Sequence, residues 1–277
     1  MRTLAVALDL LREARSRKWT LALLLATTLV LLLVAFGLEL EVVDGALAAS
    51  RFLGGQASHS IRPTDVALRP LFEGVAWAVF SGGLVFGVLA CADFAPALLA
   101  PGRIEQLLAL PYRRWELLLG TWLGVLALLG AGGLYGGVGL SLIIMAKTGL
   151  FGWAPAAAAL LGVAAFAAVY AVMLLTAVAV RSAALSGAAG GAALVSFLVA
   201  GHRADLAPLF SAGAGRAAFL ALTAPLPRLN GLGEHAARLA AGLPAEPALL
   251  AVQLLGTLLF SAAALLLAAV LFERKDY

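Results

Sequence analysis

Charge, histidine and cysteine are all in short supply along these 277 residues: 12% are charged, three are histidine and one is cysteine. With Cys91 alone no internal disulfide can form, and its place near one end of an apolar run suits a small packing side chain. His59, His202 and His235 are scattered over two connecting segments and read as ordinary surface histidines, whereas a catalytic metal centre needs several ligands converging on one point. A serine hydrolase would need a nucleophile elbow served by a base. Ser186-Gly187 lies in an apolar run with no histidine at its depth, so a hydroxyl used for helix packing is the better account. The nearest approach to a phosphate-binding loop, residues 141–148, has Ser141 and Ala146 where glycines are required. These absences argue against an enzyme and against a nucleotide site within the chain.

What is abundant is hydrocarbon. Hydrophobic residues make up 63% of the chain and the mean hydropathy is +1.02, where a soluble domain is roughly half apolar. Six runs, 19–38, 75–92, 117–145, 154–180, 183–201 and 248–272, contain no charged residue. Each is about as long as a helix that crosses a bilayer core, roughly 20 residues. Backbone in hydrocarbon must satisfy its own hydrogen bonds, so the runs are expected to be helices. The expected fold is an all-α membrane protein with six transmembrane helices in a single domain over 1–277, because the spans leave no room for a sizeable soluble unit.

A sequence pI of 9.6 could point to nucleic acid, but the basic residues flank the spans, as cytoplasmic Lys and Arg do, and no nucleic-acid partner is expected. With the N-terminus inside, segments 1–18, 93–116, 181–182 and 273–277 hold 11 of the 19 Lys and Arg in 49 residues, against 8 in the 90 residues of 39–74, 146–153 and 202–247. That density predicts cytoplasmic N- and C-termini in a plasma (inner) membrane, the Arg12, Arg15, Arg17, Lys18 cluster being the strongest single vote. The first run is too long for a signal peptide, and Glu39, Glu41 and Asp44 separate it from Ala46-Leu47-Ala48, so an uncleaved anchor is expected.

Around the spans, four features stand out. Residues 3–17 read as an amphipathic helix lying on the inner membrane surface, with Leu4, Leu8, Leu11 and Ala14 on one face. Glycine pairs four apart, Gly132/Gly136, Gly133/Gly137, Gly83/Gly87 and Gly187/Gly191, allow close helix packing, chiefly within the chain. The last outer loop, 202–247, is too long for a turn. Its stretch 206–224, broken by Pro208, Gly213 and Gly215, is expected to dip into the outer leaflet. A second amphipathic helix follows, with Leu229, Leu232, Ala236, Leu239 and Leu243 opposite Glu234, His235 and Arg238, ended by Gly242 and Pro244. In the first outer loop, Leu38-Glu39-Leu40-Glu41-Val42 alternates like a short strand.

The most informative stretch is the inner segment 93–116. Ile104, Leu107, Leu108 and Ala109 form an apolar stripe on a short helix, and Glu105 and Gln106 fall off it. Pro111 ends the helix, Arg113 and Arg114 follow at the membrane surface, and Glu116 lies in the first turn of the next helix, where its charge suits the dipole. A short helix held along the membrane with one face open to the cytoplasm is a docking device for a soluble partner.

That segment resembles the ABC-2-type permease family, the membrane subunits of a class of ATP-driven exporters, whose pattern is similar to Gly-x-apolar-Glu-x-Leu-Leu-x-x-Pro-x-x-Arg-x-Glu-Leu-Leu-Leu-Gly. Gly102, Ile104, Glu105, Leu107, Leu108, Pro111, Arg114, Glu116 and Gly120 occupy the matching positions, with Asp93 as the acidic residue upstream. The resemblance extends to the basic leader, the six spans, the short dipping helices of the last outer loop and the tail Phe272-Glu273-Arg274-Lys275-Asp276-Tyr277. It departs at Thr121, where lysine is frequent, and at Arg103, where a small hydroxyl residue is frequent. The resemblance implies that two permease subunits, identical or different, pair in the membrane to form a translocation path. Each would dock on an ABC ATP-binding subunit through a coupling helix, by Gly102, Ile104, Glu105, Gln106, Leu107, Leu108, Pro111, Arg114 and Glu116. ATP and Mg would belong to that partner, with no cofactor in this chain.

Two alternatives compete. A secondary transporter usually keeps ionisable coupling residues inside the membrane, whereas Glu73, Asp93, Lys147 and Arg181 all sit at span ends. A membrane assembly factor would need no docking helix. As for cargo, the scattered Ser81, Thr121, Tyr135, Ser141, Tyr170, Thr176 and Ser196 suit a lipidic or amphipathic molecule better than an ion.

Overall fold

The structure, a computed structural model, describes residues 2–16, 18–43, 46–52, 55–58, 62–109, 112–149, 151–210, 213–244 and 246–275. Arg17, Asp44, His59, Leu110, Pro111, Asp276 and Tyr277 lie outside the described residues, as does the side chain of Leu108. The chain opens with α1 (Arg2–Ser16) and α2 (Lys18–Gly37). A small antiparallel sheet follows: β1 (Leu38–Val43), β2 (Ala46–Phe52), β3 (Gly55–Ser58) and β4 (Arg62–Pro63), with β2 paired to each of the others. Then come α3 (Thr64–Cys91), the short α4 (Phe94–Leu98) and α5 (Arg103–Ala109), α6 (Arg114–Thr148), α7 (Ala154–Val180) and α8 (Ala183–Gly201). The last connection carries α9 (Arg203–Leu206), a 3-10 turn (Ala207–Leu209), α10 (Ala214–Thr223) and α11 (Leu229–Ala240), and α12 (Pro247–Glu273) closes the chain.

Among the described residues six helices, α2, α3, α6, α7, α8 and α12, are long and apolar enough to cross a membrane. The membrane part is all-helical, as expected. The sheet is confined to the first connecting segment, where the alternation over 38–42 was its one sign. Helices α7 and α8 match their apolar runs residue for residue. Pro155 sits at the start of α7, where its missing N–H costs nothing, and Ser182 caps α8 by accepting a hydrogen bond from the Leu185 N–H at 3.4 Å.

Helix α7 is the axis. It touches α3, α6, α8, α11 and α12, and 61% of its span is buried against none of α2's. Its sequence explains this. Ala156, Ala158, Ala165, Ala167, Ala168, Ala171 and Ala177 are all buried, and small side chains let neighbouring backbones come close where van der Waals contact, rather than expulsion of water, holds helices together. Hydrogen bonds reach its backbone from two sides: Trp122 Nε1 donates to Ala167 O at 3.0 Å, and Ser186 Oγ donates to Met173 O at 2.9 Å. Ser186 is thus a packing hydroxyl.

The glycine pairs sort by partner. On α6, Gly132 and Gly136 face Leu23 and Thr27 of α2, while Gly133 and Gly137 face Ala159 and Ala156 of α7. One helix therefore seats two others through interleaved stripes. Of the remaining pairs, Gly87 packs on Phe166 and Gly187 on Ala92, but a Cβ at Gly83 or Gly191 would meet nothing within 4 Å.

Helix α11 departs from expectation. Its amphipathic period is as expected, but α11 is wedged against α3, α7, α8 and α12, so that its polar side also meets protein. Leu229, Leu232 and Ala236 are buried, and so are Asn230 and His235, each 4% exposed. His235 is not a surface histidine: α11 is enclosed on several sides, leaving only Glu234 and Arg238 facing outward. Gly201 of α8 and Gly231 make room for the Asn230 and Gln253 side chains. By contrast α10 buries only Thr223 and is tied to the 3-10 turn by the stacked rings of Phe210 and Phe219, 4.7 Å apart.

Candidate functional site

The segment 93–116 is built into the end of the bundle that holds both termini. Phe94, Ala95, Leu98 and Leu99 are buried, so the connection between α3 and α6 is anchored before α5 begins. Gly102 makes the turn at φ +81°, a backbone state in which any side chain would be strained. Ile104 is 2% exposed. With the half-buried Leu107 it points into one apolar cluster formed by Val6 of α1, Ala95 and Leu99, Leu117 and Leu118 of α6, Leu174, Ala177 and Val178 of α7, and Ala268 and Phe272 of α12. Glu105 and Gln106 are exposed, and so is Ala109, which the stripe had been expected to include. The helical period thus places two side chains inward and two outward, as the sequence indicated.

Arg114 and Glu116 both hold backbone groups of this chain. Glu116 Oε2 accepts the Arg113 N–H at 2.8 Å, satisfying one of the orphan donors at the start of α6. Arg114 turns back: its Nη1 donates to the carbonyls of Phe272, Glu273 and Lys275 at 2.8, 3.2 and 2.7 Å, and its guanidinium lies 5.7 Å from the Phe272 ring centroid. Lys275 Nζ in turn donates to the carbonyls of Val178, at 2.9 Å, and Ala179 at the end of α7. Two cations therefore cap two helix C-termini, where the dipole favours positive charge.

Sequence reasoning missed the leader's part in this site. Helix α1 packs along α6 through Val6, Leu10 and Ala14, all buried, and leaves Leu4 and Leu8 at 64% and 47% exposure. The apolar face expected to include Leu4 and Leu8 is therefore a second, outward face. The seat is Gly120 and Gly124, another pair four apart: a Cβ on Gly120 would lie 2.6 Å from Val6 Cβ, and one on Gly124 3.2 Å from Ala7 Cα. Helix α1 is also locked to α5. Arg103 donates from Nη1 to Glu13 Oε1 at 2.9 Å and from Nη2 to Oε2, a two-pronged ion pair. The hydrogen bond to Glu13 leads the causes that hold the Arg103 guanidinium above its usual pKa, with the charges of Glu13 and Asp9 adding to it against the cost of burial. The position where Arg103 departs from the family pattern was the available signal; its partner, 90 residues away, was not legible.

Both side chains of this pair keep about a quarter to a third of their exposure, so its worth is modest. Glu13→Ala and Arg103→Ala are each expected to cost about 1 kcal/mol. The double variant should cost little more than either alone, and the exchange Glu13→Arg with Arg103→Glu should recover part of the loss. A thermal-unfolding double-mutant cycle in detergent measures this, and additive losses would show that the pair is not coupled.

Among the described residues no group of three His, Cys, Asp or Glu side chains converges on a point that could hold a metal ion. No family model matches the chain, and no curated protein matches it.

Proposed function

We propose that this chain is the permease subunit of an ABC-2-type transporter, an exporter, lying in the plasma (inner) membrane with both termini in the cytoplasm. In this reading a separate ATP-binding subunit carries ATP and Mg and docks on α5, and a second permease subunit completes the translocation path. One observation above all supports it: α5 presents Glu105 and Gln106 outward while Ile104 and Leu107 are set in a cluster shared with α1, α6, α7 and α12. A push on the exposed face would reach one spanning helix, α6, at its start and two, α7 and α12, through their last turns. The Glu13–Arg103 pair ties α1 to α5.

The structure sharpens the choice of test. Leu107→Asp would disturb the cluster beneath α5, and Arg114→Ala would free helix ends, so neither isolates docking. Glu105→Arg changes only an exposed side chain. Tagged wild-type protein, drawn in mild detergent from cells expressing its native partners, is expected to bring a stoichiometric soluble ATPase with it. Glu105→Arg should reduce that recovery tenfold or more, about 1.4 kcal/mol of binding, with an unchanged melting temperature. Wild-type protein that brings no ATPase would shift weight to a secondary transporter or an assembly factor.

A further inference from the structure

Between α2, α3, α6 and α7 lies a cavity of about 520 Å³. Its walls include Val34 and Leu31 of α2, Phe72 and Phe86 of α3, Leu140 of α6 and Phe166 of α7, and among the described residues that line it Thr27 is the only polar side chain. From Phe72 to Phe86 the cavity follows 15 residues of α3, about 21 Å of helix. That is more than half of a hydrocarbon core of about 30 Å.

We propose that this cavity is a binding site for one acyl chain of a membrane glycerophospholipid. This does not depend on the transport reading. Water is excluded as an occupant, because a buried water needs two to four polar partners and apolar cavities stay dry. A helix from a second copy is excluded by size: a cylinder about 10 Å wide would use the whole volume within little more than one turn. An acyl chain fits. An apolar cavity of about 150 Å³ takes one benzene, so on the same scale 520 Å³ holds about twenty carbons. A way in exists as well, since α2 packs on α1 and α6 but makes no extended contact with α3, leaving that side facing lipid. Val34, Phe72, Leu140 and Pro155 line the end nearer the sheet.

The walls supply their own test. Gly82 and Gly83 both line the cavity, and a Cβ at either meets nothing within 4 Å. Gly83→Leu therefore fills the space without clashing at its first carbon. Gly191→Leu adds the same side chain on α8, also with nothing within 4 Å and away from the cavity, as a control. The full-length protein would be reconstituted in phosphatidylcholine vesicles containing a phosphatidylcholine with a diazirine midway along one chain, then irradiated and mapped by mass spectrometry. The expected result is label concentrated in 72–86 and 129–140, reduced tenfold or more by Gly83→Leu and unchanged by Gly191→Leu. Label spread evenly over outward-facing residues such as Leu25, Leu29 and Leu259 would overturn the proposal, as would a Gly83→Leu map identical to wild type. Should Gly83→Leu not fold, the wild-type map with Gly82→Leu decides the matter on the same terms.

Discussion

Gly137→Val is expected to lower sharply the yield and stability of the folded, monodisperse protein. A Cβ at this position would stand 2.6 Å from Ala156 Cα, 2.9 Å from Ala156 N and 3.0 Å from Pro155 O. All three are backbone atoms at the start of α7, so no rotamer change relieves the clash and the helix itself has to move. Extra methylenes in a packed interior commonly cost about 1–3 kcal/mol even when side chains can give way. Here they cannot, and about 3 kcal/mol or more is expected, a large share of the roughly 5–15 kcal/mol by which a folded chain is stable. Gly130→Ala is the internal control. It lies on the same helix with nothing within 4 Å, and replacing a helical glycine by alanine should stabilise by about 0.5–1 kcal/mol. Fluorescence-detected size exclusion and thermal scanning of both variants in one detergent measure the contrast. A folded Gly137→Val with wild-type stability would mean that α6 and α7 do not touch there.

Arg114→Ala should give the second largest effect, about 2–3 kcal/mol, because hydrogen bonds to a charged donor are worth about 1.5–3 kcal/mol and one guanidinium nitrogen serves three carbonyls. The damage should be local and directional. With the end of α12 released, Lys275 loses the support that holds it on the last turn of α7, so amides near 178–181 and 270–275 should exchange faster together. Arg114→Lys is expected to recover little, since an ammonium lacks the planar fork and the stacking surface toward Phe272. Hydrogen exchange confined to 270–275, leaving α7 unaffected, would show that the two caps act independently.

How legible these features were in the sequence varied with their cause. Hydropathy found every span, yet it located the apolar part of a helix rather than the helix. Helix α3 starts at Thr64, well ahead of residue 75, because Asp65, Arg69 and Glu73 sit on helical turns outside the apolar run. Period alone placed Ile104 inward and Glu105 outward on α5, since a single helix over a single core obeys the simple amphipathic rule. The same rule misplaced His235, because α11 has neighbours on several sides and its polar face is partly a protein interface. The docking role expected of Arg114 and Glu116 rested on the resemblance. Glu116's place in the first turn of α6 was legible locally, whereas the cap that Arg114 supplies depends on where α12 ends and could not be read from residues 102–120. The inner glycine seat, Gly120 and Gly124, escaped notice because its partner is the leader rather than a span.

The two capping cations bear on how the chain comes to be oriented. Lys and Arg beside apolar segments bias which side of the membrane a loop remains on while the chain is being inserted. Arg114 and Lys275 belong to that population, and in the finished fold they also close the carbonyl ends of α12 and α7. A chain with α6 and α12 threaded in opposite senses would put these side chains on different sides from the carbonyls they serve, leaving both helix ends unsatisfied. Biogenesis and native stability thus read the same residues.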